Sequence, residues 1–137
     1  MLKIYSDAAS RGNPGPSAIA FIILEENGSI SKSYSRFIGK RTNNQAEYEA
    51  LISALEHASD LAREEVICYL DSELVVKHLT GQYEVRNPEL RKLWSKVQAL
   101  KKRFQKISFN HAPRTNKYIQ QVDMMVNQTL DKIGNMP

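Results

Sequence analysis

The chain has 137 residues, 42% hydrophobic and 25% charged, with a net charge of +4 and a single cysteine. At about 150 residues per domain this reads as one domain, residues 1–137, and the ordinary apolar content excludes a disordered chain. No apolar run approaches the ~20 residues of a membrane span, the N-terminus lacks the basic-then-apolar plan of a signal peptide, and Cys68 alone excludes a disulfide framework or thiolate metal site, so a cytoplasmic protein with one inert, buried thiol is expected.

In chain order, Leu2 to Ser6 alternates apolar and polar residues, a strand that runs into Asp7. A Gly/Pro-rich loop, Arg11 to Pro16, leads to a second apolar strand, Ser17 to Leu24. Asn27-Gly28 signals a two-residue hairpin, with Ile30 to Ile38 returning antiparallel. Thr42-Asn43-Asn44 offers N-cap chemistry to a helix reaching about Asp60. Val66 to Leu70 is continuously apolar, which suits a central parallel strand buried on both faces, and Asp71 follows it. Ser72 to about Thr80 reads as helix, closed by Gly81. Asn87-Pro88 opens another, whose apolar stripe is Leu90, Leu93, Trp94, Val97 and Leu100. Phe104 to Phe109 completes the strands, Pro113 to Lys117 is a loop, and Tyr118 to Ile133 is a final helix. The order β-β-β-α-β-α-α-β-α predicts an α/β fold: a five-stranded mixed sheet, three strands antiparallel and then parallel ones, flanked by helices.

Charge is unevenly spread. Arg86 to Lys106 holds eight basic residues against Glu89 alone, a local +7 in a chain of net +4, so the remainder is slightly acidic. By itself such a run suits a solvated helix face as well as a polyanion-binding surface.

Four carboxylates stand out by position. Asp7 and Asp71 each stand at the C-terminal end of an apolar strand, where open α/β sheets bind ligands, although a turn role for Asp7 and a helix cap for Asp71 are the plainer alternatives. Glu47 lies one turn before Ala50 and Leu51 on the apolar stripe of its helix, so its charge begins the buried face and needs a cation. Asp123 borders the stripe Ile119, Val122, Val126, Leu130 and Ile133 of the last helix. Glu49 and Glu56 fall on other faces and read as solvated. Converging carboxylates without a Cys or His cluster describe an all-oxygen site for Mg²⁺ or Mn²⁺, and two such ions suit phosphoryl transfer.

The segments DAASRGNPGP at Asp7 to Pro16, TNNQAEY at Thr42 to Tyr48, LDSELVV at Leu70 to Val76 and the closing APRTNKYIQQVDMMVNQTLD resemble ribonuclease H type 1 in its compact bacterial and archaeal form. The resemblance spans nearly the whole chain and implies a ribonuclease H-like fold. It also implies an endonuclease that cuts the RNA strand of RNA–DNA hybrids, without sequence preference, using two Mg²⁺ or Mn²⁺ ions held by Asp7, Glu47, Asp71 and Asp123. Gly12 and Asn13 match a segment that touches nucleic acid. Asn43, Asn44 and Gln45 match minor-groove contacts, Thr42 matches a hydroxyl that meets a DNA-strand phosphate, and Ser72 beside the metal aspartate is grouped with the substrate contacts. Short amides suit this task, because the shallow A-like minor groove exposes base edges and 2′-hydroxyls.

Two features depart from larger members. Only Gly81 to Asn87 separates two helices where a basic protrusion is inserted in others. The position of a mobile-loop histidine falls at Arg114 or Thr115, and His111, three residues early, reads as a structural histidine packed on the last strand. Arg114 is therefore the expected loop residue assisting catalysis, as a cation and not as a proton acceptor. A non-catalytic binding module of the same fold, or a nuclease of that fold cutting double-stranded RNA or DNA junctions, are the competing readings. A monomer is expected, since no long apolar surface stripe is left over.

Overall fold

The computed structural model describes residues 1–135. Its elements follow the expected order: β1 (Leu2–Ser10), β2 (Gly15–Leu24), β3 (Ile30–Arg41), α1 (Asn43–Leu61), β4 (Glu65–Leu70), α2 (Glu73–Leu79), α3 (Pro88–Lys101), β5 (Lys106–His111) and α4 (Lys117–Gly134). The five strands form one sheet in the order β3-β2-β1-β4-β5. β1, β2 and β3 pair antiparallel, while β4 runs parallel to both β1 and β5.

Alternation along the strands divides the core in two. Leu2, Ile4, Phe21, Ile23, Val66, Cys68 and Leu70 face α1, α2 and α3, whereas Tyr5, Ala18, Ala20, Ile22 and Leu24 face α4. β2 is buried on both faces, which explains its nearly unbroken apolar run. Tyr118 of α4 packs on Tyr5, which stacks on Tyr69, each pair with ring centroids 4.8 Å apart, and this seats the start of α4 over β1 and β4. Cys68 is fully buried, as expected, and burial holds its thiol well above the ordinary pKa.

Several local expectations need correction. β1 does not end at Ser6: it runs on to Ser10, paired with β2 through Ser10↔Ser17, so Asp7 lies within the strand. What ends at Ser6↔Leu70 is the parallel ladder with β4, and this places Asp7 and Asp71 one step beyond it, side by side. Asn27-Gly28 is not a two-residue turn. Gly28 N–H donates to Glu25 O and Glu25 N–H to Ser29 O, both at 2.9 Å, and Gly28 takes φ +89°, which makes a three-residue loop with glycine at the left-handed position. The last strand is shifted two residues later than expected. Phe104 is buried in the turn after α3 and serves the core from there. Gly15 opens β2 instead of forming a turn, and a side chain there would collide with the Arg11 carbonyl.

The basic run does not form one surface. α3 is about 21 Å long, and its N-terminal half lies near the start of α1 while Lys101, Lys102 and Arg103 lie at its opposite end. Arg103 donates to Ser59 near the end of α1 (3.2 Å), and Lys106 pairs with Glu65 at the start of β4 (3.5 Å), so this half borders the end of the sheet away from Asp7. Among the described residues no helix is long and apolar enough to cross a membrane.

Candidate active site

The parallel ladder delivers two carboxylates to one sheet end, and a helix on each face brings one more. Asp7, on the face covered by α4, is 3% exposed. Glu47 reaches the same point from α1: the Ala8 N–H donates both to Asp7 Oδ1 (2.9 Å) and to Glu47 Oε1 (3.3 Å). The other oxygen, Glu47 Oε2, is buried with no hydrogen-bond partner. Asp7, Asp71, Asp123 and Arg114, with Ile119 and Gln120, line a recess of about 30 Å³. Larger clefts lie elsewhere on the surface, so this site is defined by its charges and not by its volume.

The electrostatics follow from burial. Desolvation lifts the Asp7 pKa to about 7, with the negative charges of Asp71 and Asp123 adding to the rise against the hydrogen bonds that it accepts. Glu47 is held well above the carboxylate range, first by burial and then by Asp7. A buried aspartate beside a half-buried glutamate with one buried, orphaned oxygen forms an environment suited to a cation.

Arg114 supplies a positive charge from the side. Its Nε donates to Asp71 Oδ2 (3.1 Å), Asp71 in turn holds its pKa above the ordinary value, and the side chain remains 82% exposed on the β5–α4 loop. Among the described residues no three His, Cys, Asp or Glu side chains stand in a closed metal shell, and the pairing with Arg114 engages one oxygen of Asp71. The residues nonetheless fit a divalent cation: every donor is a carboxylate oxygen, one buried oxygen lacks a partner, and the nearest guanidinium is on an exposed side chain able to leave.

The residues expected beside the carboxylates cluster at the start of α1. Thr42 is its N-cap: Oγ1 accepts from Gln45 N–H (3.2 Å) and the Gln45 side chain accepts from Thr42 N–H (2.9 Å), a complete capping box. Asn43 N–H donates to Asn13 Oδ1 (3.1 Å), and Ser10 N–H donates to Asn43 Oδ1 (3.2 Å). The oxygens of Thr42, Gln45, Asn13 and Asn43 thus all accept from backbone, and these bonds do not use their hydroxyl and amide hydrogens. Asn13, Thr42, Asn44 and Gln45 line one cleft of about 280 Å³ with Asn87, Glu89 and Leu90. Gly12 takes φ +113°, a backbone that suits glycine in the loop presenting Asn13.

Three expectations change here. Ser72, not Asp71, caps α2 by accepting from Val75 N–H (3.3 Å), which frees the Asp71 carboxylate from the cap role. His111 ends β5 with an exposed side chain, so it is not packed as a structural histidine, because the strand reaches the sheet edge where nothing covers it. Glu49 is not simply solvated either; it pairs with Arg41 Nε at 2.8 Å. Sequence reasoning misses Gln120 and Asn87. Gln120 stands three residues before Asp123 on α4, a spacing that could have found it, whereas Asn87 reads in sequence only as the opening of α3.

A family model described as reverse transcriptase-like matches residues 5–128. The chain is 40% identical over 127 residues to a ribonuclease HI of Halobacterium salinarum, covering 93% of this chain and 63% of that protein's length. It is 35% identical to a bifunctional protein of Mycobacterium tuberculosis, of which it spans 35%. Among solved structures, the RNase H1 of Halobacterium salinarum superposes with a TM-score of 0.90 at 39% identity, over 96% of this chain and 98% of that one. LC11-RNase H1, a compost metagenome protein solved in complex with RNA/DNA hybrid, gives 0.90 at 39% identity over 97% and 99%.

Proposed function

The chain belongs to the ribonuclease H type 1 family, and on that premise we propose that it cleaves the RNA strand of RNA–DNA hybrids, with Asp7, Glu47, Asp71 and Asp123 as the catalytic carboxylates. The observation that carries this reading is the buried Asp7 beside the half-buried Glu47 at the end of the parallel ladder, with Glu47 Oε2 itself buried and unpartnered. A module that only bound nucleic acid would gain nothing from a carboxylate on the buried face of α1, where its charge opposes folding.

The four carboxylates would hold Mg²⁺ or Mn²⁺, which when bound supplies a nucleophilic water and neutralises charge on the leaving oxygen. The chain's own residues do the rest. Thr42, Asn43, Gln45 and Asn13 present hydrogen-bond donors to acceptors on phosphate, sugar or base edges, and their rotamers are fixed by the backbone bonds described above. Contacts of that kind position a duplex without reading its sequence. Arg114 sits at the mouth of the recess, where its guanidinium can follow a phosphate once it is released from Asp71. The compact form lacks a protrusion: α2 and α3 are joined directly by the segment 80–87.

Labelled RNA–DNA hybrid, double-stranded RNA and double-stranded DNA, each with Mg²⁺, Mn²⁺ or chelator, test the reading. Cleavage of the hybrid's RNA strand with metal, absent in chelator and absent in Asp71→Asn, is expected. Cleavage that survives chelator, or that prefers double-stranded RNA, would overturn it.

A further inference from the structure

Folding splits the basic run, and its N-terminal half joins a surface that begins at the proposed substrate cleft. The cleft containing Thr42 and Asn13 shares Gln45 and Glu89 with a second of about 240 Å³, which Arg41, Lys92 and Lys96 also line. That one shares Glu49, Leu93 and Lys96 with a third of about 160 Å³, closed on its far side by Arg36. The three form a continuous trench along the outer face of α1, with α3 as one wall. From Gln45 to Glu56 it is about 16 Å long, the length of roughly five nucleotides at ~3.4 Å each.

The charges along it favour an anion. Among the described residues Arg36 and Lys96 form no ion pair. Two of the three acids in the trench are already partnered: Glu49 by Arg41 at 2.8 Å, and Glu89 loosely by Lys92 at 3.7 Å, both partners of that second pair being largely exposed. Lys92 and Lys96 stand four residues apart, on one face of α3 and in reach of one backbone track. Three residues of the other half of the basic run are engaged elsewhere: Lys101 lies over the Phe109 ring (5.9 Å), Arg103 on Ser59 and Lys106 on Glu65.

We propose that this trench is an extended docking track for the phosphodiester backbone of the DNA strand after it leaves the Thr42 end of the cleft, gripped by Lys92, Lys96 and Arg36. The proposal rests on the reading of that cleft as a hybrid site. It assigns substrate-holding to one half of α3 and none to the other.

The test is the salt dependence of binding to a 20-base-pair hybrid, followed by fluorescence anisotropy in chelator so that no cleavage intervenes. Lys92→Gln/Lys96→Gln should lower the slope of log K against log salt by about 1.8, at ~0.9 for each phosphate that a B-form duplex no longer has neutralised by a lysine. Lys101→Gln/Lys102→Gln should keep the wild-type slope. All four side chains are on the helix surface or its end, and circular dichroism confirms that each variant is folded before its slope is read. An unaltered slope in the first pair, or an equal drop in the second, would overturn the track while hybrid binding by the wild type leaves the cleft reading intact. A wild-type protein that does not bind hybrid at all would overturn both.

Discussion

Asp7 carries the residue-scale behaviour of the site, because its pKa of about 7 lies well above the ~3.9 of an unfolded aspartate. The folded chain therefore holds the Asp7 proton more tightly than the unfolded one. Stability from this group is full below about pH 4 and is lost as the pH rises toward 7, with Glu47 acting in the same direction. In chelator the melting temperature should accordingly fall between pH 5 and 7.5, and Asp7→Asn should flatten that fall; a melting temperature that rises over this range would contradict the assignment. Arg114→Ala should slow turnover by roughly ten- to a hundredfold, and His111→Ala by less, an assisting role worth a few kcal/mol at most. A larger loss of turnover in His111→Ala than in Arg114→Ala would reverse the choice. The four carboxylates stand out in the sequence, because each follows an apolar strand run or lies on or beside an apolar helix stripe, where an unpartnered charge is out of place. The sequence could not show that Arg114 pairs with Asp71, since that contact joins residues 43 positions apart through a loop.

At the scale of elements, chain order was readable and ends were not. Strand β1 continues through Asp7 to Ser10 because β2 supplies eight partners along it, a tertiary pairing that overrides the low strand propensity of an Asp-Ala-Ala-Ser segment. Helix α1 begins where its capping box predicts. Thr42→Ala should cost about 1 kcal/mol of unfolding free energy, read by urea denaturation, while Thr42→Ser retains the Oγ acceptor and most of that stability. Equal losses in the two variants would mean that packing of the threonine methyl, and not the cap, stabilises this end. The basic run shows the limit of one-dimensional charge counting: of its eight cations only Arg91, Lys92, Lys96 and Lys101 lie on the 14-residue helix, spread along its ~21 Å, and the rest flank it in different surroundings.

For the whole molecule, the sheet explains why the site is where it is. Antiparallel β1–β2–β3 and parallel β1–β4–β5 meet at β1, so the end of one parallel ladder places Asp7 against Asp71, while α1 and α4, on opposite faces, bring Glu47 and Asp123 to the same rim. All-oxygen donors at that rim point to hydrolysis by water and not to attack by the substrate's own 2′-hydroxyl, which needs a base and no metal. The end groups of the RNA fragments released from a hybrid test this most directly. Hydroxyl and phosphomonoester ends with every 2′-hydroxyl intact, formed only when Mg²⁺ or Mn²⁺ is present, are expected; 2′,3′-cyclic phosphate ends, or the same fragments in chelator, would overturn the hydrolytic reading.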